Sequence, residues 1–241
     1  MSAAQGLQAV VGFEATAYAW QQGAIVWAGD DASTDHPRNV WRPWQPPPLR
    51  CDARALAAGA LICSKQLEAA NSKGLLRWLL DQPLPFPLEH ARPRFDAVRE
   101  ALARNDAPAF EAAALRVLGL GHGLTPSGDD FIGAIFFALA HAPRQAWCAD
   151  MPAMRVRLHD AAQVATNAIS AALLDDLIAG TSYRALHELL AALQDGDAAA
   201  ITHKTQALLR VGASSGADML AGLLLALTTQ PGLGPAFSPP P

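Results

Sequence analysis

The chain has 241 residues, 51% of them apolar, and a formal net charge of -4 with acidic and basic residues interspersed. A sizeable core is therefore available without disulfide or metal staples, and no charged face gathers a polyanion, which excludes nucleic acid as an expected partner. Three widely spaced cysteines without a C-x-x-C pair, and no leader of the secretory type, predict reduced core thiols and a cytoplasmic protein.

The chain begins with a β-like pattern and continues with helical ones. Alternation over residues 10–27, broken at Gln21-Gln22-Gly23, predicts a β-hairpin, and a proline-rich linker follows up to residue 50. Residues 51–230 predict a helical ligand-binding domain, and residues 231–241 a disordered tail. The expected fold class is α+β, with a small β-containing N-terminal part before a larger, mostly helical domain.

Two segments of the sequence each predict a helix. The most apolar window, residues 131–142, contains Gly133 and is shorter than the roughly 20 residues that span a bilayer, so it predicts a buried helix and no membrane partner. Leu158, Ala162, Ala165, Ile169 and Leu173 recur at helical spacing and predict one long helix that Gly180 closes.

Residues 119–128 form a glycine-rich loop that resembles two nucleotide motifs and fits neither. Gly119, Gly121 and Gly123 are evenly spaced after a helix, whereas a dinucleotide fingerprint needs G-x-G-x-x-G after a strand. Gly123 and Gly128 have the P-loop spacing, but Asp129 and Asp130 stand where Lys and Ser/Thr are required. Two carboxylates there disfavour a nucleotide, unless a metal ion such as magnesium intervenes.

The remaining interpretation is a loop whose glycines let the backbone approach a ligand, leading into a helix with free, partially positive N–H groups. Such a place suits a phosphate or a carboxylate. Thr125-Pro126 fits a proline at the first helical position, and Ser127 with Asp130 fits a serine cap with an acid three residues later. Plain capping by Ser127, Asp129 and Asp130 is the alternative, worth about 0.3–1 kcal/mol for an acid near the N-terminus.

The same helix start occurs twice. Aligning Ser127 with Ser215 also aligns Gly128 with Gly216 and Asp130 with Asp218. Residues shared by both copies favour capping, whereas Asp129, His122 and Thr125 are unique to the first copy and favour ligand contact. If the two helix N-termini converge, they form one anion pocket. A structure with Ser127 and Ser215 on opposite faces of the protein contradicts this hypothesis.

A third polar patch interrupts an apolar helix at Thr166, Asn167 and Ser170. Thr166 and Ser170 are four residues apart, so they either line the pocket floor or bond back to the helix carbonyls. The histidines show no H-E-x-x-H spacing and Ser127 stands in no G-x-S-x-G elbow, so neither a zinc site nor that serine nucleophile is indicated.

The string Gly121-His122-Gly123-Leu124-Thr125-Pro126-Ser127-Gly128-Asp129-Asp130-Phe131, with Ser214-Ser215-Gly216-Ala217-Asp218 and the Thr166–Ser170 patch, resembles the AllH family. The resemblance covers about residues 115–227. It implies a subunit of oxamate carbamoyltransferase in allantoin breakdown, which converts oxalurate and phosphate to oxamate and carbamoyl phosphate with FdrA-type partner subunits. Purine catabolism is the implied setting.

The chemistry suggests roles for these residues. Asp129, Ser127 and His122 are the predicted catalytic residues. Predicted substrate contacts are Gly121, Gly123, Thr125, Gly128, Asp130, Thr166, Ser170, Ser215, Gly216 and Asp218. No metal ligand and no cofactor is assigned, with magnesium left open at Asp129. The alternatives are a non-catalytic anion-binding or scaffolding subunit, and a purely structural helical protein.

Overall fold

A computed structural model describes residues 46–50, 52–67 and 72–231, together with the backbone of residues 7–13, 16–21 and 24–28. In the part described with side chains, 67% of the residues are helical and none is in a strand. The predicted linker up to residue 45 and the predicted tail from residue 232 lie outside the described residues. The predicted division of the chain at residue 50 stays a prediction.

The described helices follow one another with short connections. They are α1 (Ala53–Leu67), α2 (Leu76–Leu79), α3 (Arg92–Ala103), α4 (Ala107–Leu115), α5 (Ser127–His141), α6 (Met151–Ala165), α7 (Ala168–Ile178), α8 (Arg184–Asp195), α9 (Ala198–Leu209) and α10 (Ser215–Thr228). A 3-10 turn, Gln145–Trp147, lies between α5 and α6. Asp106, Asn167 and Asp197 cap the N-termini of α4, α7 and α9 with their side chains.

Helices α5 and α10 form the centre of the protein. Every residue of α10 is buried, and so is α5 from Ser127 to Leu139. The two helices pack closely because Gly222 brings its backbone against α5, where an added Cβ would lie 2.2 Å from the carbonyl oxygen of Phe131. The other helices surround this pair, with α1, α2 and α9 against α10 and α7 against α5. The prediction of a buried helix over residues 131–142 is confirmed.

The α+β prediction is wrong, because the fold class is helical. Three short N-terminal backbone segments, β1 (Leu7–Phe13), β2 (Thr16–Gln21) and β3 (Ala24–Ala28), pair antiparallel in that order. The core described with side chains, however, extends from Leu56 to Leu227 and is built by the helices and the segments between them. Alternation along a few residues reports a local backbone preference, whereas the fold class depends on which elements share the core.

The prediction of one long helix over residues 158–173 is also wrong. It is divided into α6 and α7 at Thr166, whose backbone is extended with φ of -134°, and Asn167 begins the next helix. The periodicity continued across the break because both helices turn apolar residues toward the same core. Gly180 does follow the end of α7, with φ of +84°.

Two further sequence interpretations concern thiols and membranes. Cys63 is a buried free thiol beside the hydroxyl of Thr205, whereas Cys148 is free and exposed, so the prediction of a core thiol holds for Cys63 and is wrong for Cys148. Cys51 lies outside the described residues. No helix in the described part of the chain is long and apolar enough to cross a bilayer.

Candidate functional site

The starts of α5 and α10 lie together. The Thr125 hydroxyl, just before α5, is 2.8 Å from the hydroxyl of Ser215, the first residue of α10. This hydrogen bond joins positions 90 residues apart in the chain. The hypothesis that the two helix N-termini converge is therefore confirmed, and the helices run side by side in the same direction.

The repeated serine and aspartate positions interact across the two helices. Ser127 at the start of α5 lies beside the carboxyl group of Asp218 on α10, and Ser214 approaches the same carboxyl. Reciprocally, Ser215 and Thr125 lie beside the carboxyl group of Asp130 on α5. These six side chains, here called the helix-start cluster, are Thr125, Ser127, Asp130, Ser214, Ser215 and Asp218.

The predicted serine caps are wrong. Helix α5 begins at Ser127 itself with Pro126 at the N-cap, and neither α5 nor α10 has a side-chain cap. The amides of Asp129 and Asp130 instead donate to the carbonyl of Pro126, and those of Ala217 and Asp218 to that of Ser214. Because each helix satisfies its first amides through its own backbone, the hydroxyl and carboxyl groups turn toward the other helix.

Gly128 and Gly216 have the same packing role in the two copies. A Cβ added to Gly128 would lie 1.8 Å from the carbonyl oxygen of Val117, and one added to Gly216 would lie 1.8 Å from that of Leu208. Each glycine thus lets the start of its helix cross the end of the preceding helix. Both residues are buried, so close backbone packing accounts for them before any contact with a ligand is considered.

The two cluster carboxyl groups have raised pKa values. Burial raises the pKa of Asp218 to about 6, although the Leu75 amide donates to its Oδ1 at 2.6 Å and opposes that shift. Burial, and then the charge of Asp218, raise the pKa of Asp130 well above its ordinary value. In each group Oδ2 is buried without a hydrogen-bond partner among the described residues, so ionisation leaves a poorly solvated charge.

Asp129, the aspartate found only in the first copy, is held by the protein. Its Oδ1 accepts from the Gly119 amide at 2.7 Å and its Oδ2 accepts from the Ser170 hydroxyl at 2.7 Å. The Asp129 side chain is buried, and a Cβ added to Gly119 would lie 2.2 Å from the Ala165 carbonyl oxygen, so position 119 has no room for a side chain. Asp129 therefore fixes the beginning of the glycine loop against α7.

The glycine loop proper, residues 119–126, has the exposed backbone that an anion requires. Its middle, residues 122–124, is exposed, and Gly121 and Gly123 have φ of +113° and +100°. Within the described part of the chain, the amides of residues 121–125 donate to no protein acceptor. Asn167 secures the loop by donating from Nδ2 to the Leu124 carbonyl at 3.0 Å.

Sequence reasoning missed two contributors to this region. Asn167 was grouped with a polar patch on a helix face, yet its Oδ1 accepts from the amides of Ile169 and Ser170 as a cap, and an asparagine before a helical run was the available signal. Gly74, with φ of +49°, lies against Asp218, and nothing local in the sequence indicates that approach.

The predicted patch residues separate. Ser170 reaches Asp129, whereas Thr166 lies at the end of α6 with its hydroxyl buried and unbonded to any described residue. No group of three or more His, Cys, Asp or Glu side chains in the described ranges is arranged to hold a metal ion.

These features define a helical protein with two copies of a helix–loop–helix unit, α4 to α5 and α9 to α10, whose second helices share one buried polar cluster. Residues 117–227, which span both helix starts, match the model of the AllH family, described as oxamate carbamoyltransferase subunit AllH. The family resemblance drawn from the motifs is confirmed over this range. No curated protein and no solved structure matches the chain.

The family match supports a role as a subunit of oxamate carbamoyltransferase. A subunit implies partner subunits, and the family name places the enzyme in the setting of allantoin and purine catabolism.

Proposed function

We propose that this chain is the subunit of an oxamate carbamoyltransferase-like enzyme that holds a small anionic substrate on the glycine loop, residues 119–126. The reaction is transfer of the carbamoyl group between oxalurate and phosphate, giving oxamate and carbamoyl phosphate. The observation that carries the proposal is the row of unpaired backbone amides at residues 121–125 inside the matched segment. Backbone amides of this kind bind oxyanions without a cationic side chain.

The charge state of the helix starts supports the same placement. Burial, and then the charge of Asp218, raise the pKa of Asp130 well above its ordinary value, so the ionised form of this carboxyl group is disfavoured. Asp129 accepts hydrogen bonds with both of its carboxyl oxygens. The charge of Asp130 is thus disfavoured and the carboxyl group of Asp129 is engaged by protein donors, which lowers the repulsion of a phosphate.

The chemical step needs a nucleophile, stabilisation of the intermediate and a proton donor. A phosphate oxygen attacks the carbamoyl carbon of oxalurate, the C–N bond to the oxamate nitrogen breaks, and that nitrogen takes a proton. Loop amides stabilise the negative charge on the carbamoyl oxygen in the tetrahedral intermediate. His122, exposed in the loop, is the group placed to give the proton, while Thr125 and Ser127 hold the loop against α10 and Asp129 orients it from behind.

Two glycines allow a matched test. Gly123 and Gly196 both have positive φ, +100° and +73°, and an added Cβ meets nothing within 4 Å at either position. Gly123→Ala therefore changes the backbone of the loop without a steric clash, and Gly196→Ala imposes similar strain in the turn between α8 and α9. We expect at least tenfold weaker calorimetric binding of carbamoyl phosphate and phosphate for Gly123→Ala, and wild-type affinity for Gly196→Ala.

His122 has its own control. His122→Ala is expected to slow turnover by the assembled enzyme while leaving phosphate affinity within a factor of about three, and the exposed loop histidine His90→Ala is expected to change neither. Equal phosphate affinity in wild type and Gly123→Ala contradicts the placement of the anion on this loop.

A non-catalytic anion-binding or scaffolding subunit is the second candidate. The observation that favours it is that protein donors engage both carboxyl oxygens of Asp129. Within residues 119–126, His122 is then the single titratable side chain that can take part in the chemistry. In that case His122→Ala in the assembled enzyme keeps full turnover, whereas Gly123→Ala still loses the anion.

A further inference from the structure

A cavity lies at the opposite end of α5 and α10 from the glycine loop. It has a volume of about 340 Å³. Its lining includes Arg54, Asn105, Arg144, Gln145, Ala146 and Gln230. We call it the arginine pocket. Arg144 follows the end of α5, and fifteen helical residues at about 1.5 Å each place it roughly 20 Å from the loop.

Arg144 is a buried cation without a counter-ion. It is 3% exposed, and none of the ion pairs in the described part of the chain includes it. Its Nη1 donates to the Leu102 carbonyl and Asn105 Oδ1, and its Nη2 donates to the carbonyl and hydroxyl of Thr229. All four acceptors are neutral, and the guanidinium also lies over the Trp147 ring, 5.0 Å from its centroid, so no charged group among the described residues compensates the Arg144 charge.

The guanidinium nevertheless stays ionised at neutral pH. Burial lowers the pKa of Arg144 only to about 10. Its Nε is buried and has no hydrogen-bond partner among the described residues. Because an uncompensated charge in a low-dielectric site attracts an opposite charge more strongly than one in water, an anion gains more here than at the surface.

The rest of the lining adds donors and no acid. Arg54 contributes a second guanidinium, which makes no ion pair or side-chain hydrogen bond within the described ranges, and no Asp or Glu lines the cavity. The backbone amides of Gln145 and Ala146 also donate to no described acceptor. The cavity is thus positive, hydrogen-bond donating and large enough for a metabolite-sized ligand.

We infer that the arginine pocket binds a small oxyanion, a phosphate or a carboxylate carrying one or two charges, between Arg54 and Arg144. The site is separate from the glycine loop and does not rest on the proposed function. Such a ligand contacts the segments that follow both central helices, so its binding stabilises the folded state from the end opposite the loop.

The test uses the full chain carrying Gly123→Ala, which weakens the loop as a competing phosphate site. Inorganic phosphate and oxalate are titrated calorimetrically at constant ionic strength, with neutral oxamide as the comparison. We expect saturable binding of both anions and none of oxamide. Arg54→Gln in this background is expected to weaken both anions at least tenfold, and Lys65→Gln, an exposed cation on the same helix outside the pocket, to leave them unchanged.

Ala146→Glu provides a variant that does not depend on losing an arginine. Ala146 lines the cavity and is exposed, so a carboxylate there can take the place of the ligand. We expect loss of phosphate binding together with a higher melting temperature in the absence of phosphate. Unchanged phosphate binding in both Arg54→Gln and Ala146→Glu overturns the inference. Phosphate binding that appears only after residues 232–241 are removed also overturns it, because the pocket then belongs to that segment.

Discussion

Replacement of Asp218 by asparagine measures directly how much the buried carboxyl group costs. The pKa of Asp218 is about 6 in the folded protein against 3.8 for the ordinary group, because the side chain is fully buried on α10. At about 1.4 kcal/mol per pKa unit, ionising it in the fold costs about 3 kcal/mol. Asparagine has nearly the same shape, accepts from the Leu75 amide in the same way, and carries no charge.

The sign follows from the direction of the shift. A carboxyl group with a raised folded pKa contributes stability that is complete below the unfolded value of 3.8 and is lost as the pH rises through about 6. The free energy of unfolding of Asp218→Asn, minus that of the wild type, should therefore increase by about 2 kcal/mol between pH 4 and pH 6.5, most of the roughly 3 kcal/mol of the full titration, and change little above pH 6.5. A difference between the hydrogen bonds of the neutral carboxyl group and those of the amide at Ser127 shifts the whole curve without changing its shape.

Urea unfolding followed by circular dichroism across pH 4–8 gives this difference, and the exposed Asp160→Asn serves as the control with a flat curve. Thermal scans at pH 5 and pH 7.5 provide an independent measurement. If the Asp218→Asn difference is also flat, Asp218 does not ionise at a raised pKa, and the account of the helix-start cluster as a site of reduced negative charge is refuted.

Three further outcomes follow from the packing and the titrating groups. Gly128→Ala and Gly216→Ala should each destabilise the protein by about 3 kcal/mol or more in urea, because the new Cβ lies 1.8 Å from a backbone carbonyl oxygen. The control Gly196→Ala should cost about 1 kcal/mol, and equal costs for all three variants contradict the packing role of Gly128 and Gly216. Ser170→Ala should cost about 1–3 kcal/mol by leaving Asp129 Oδ2 without its donor, and should speed proteolysis within residues 119–126; an unchanged cleavage rate shows that Asp129 does not hold the loop. Burial, and then His141, lower the pKa of His187 to about 4, and its Nε2 accepts from the Ser182 amide, so its imidazole should titrate near pH 4 by NMR. The contribution of His187 to stability should fall as the pH drops from 6.5 toward 4, and titration near 6.5 contradicts that environment.

The sequence by itself located the region that matters. The repeated Ser-Gly-x-Asp pattern identified two helix starts of one design, and the glycine-rich string carried the family resemblance that residues 117–227 confirm. The apolar window over residues 131–142 also predicted the buried helix after Ser127. These successes share a cause, because backbone freedom and local apolar content are set by residues close together in the chain.

Only the tertiary structure decided how those pieces act on one another. Ser127 fitted a cap of its own helix in the sequence, whereas in the structure it faces Asp218, a residue of the other copy. The ligand contact predicted for Asp129 stays a prediction, and the structure adds its hydrogen bonds with Gly119 and Ser170. The N-terminal alternation suggested an α+β fold although the described core is helical, and Arg144 gave no sign in the sequence of being a buried cation. In each case the outcome depends on which distant backbone or side chain excludes water from the residue, and a short stretch of sequence contains no record of that neighbour.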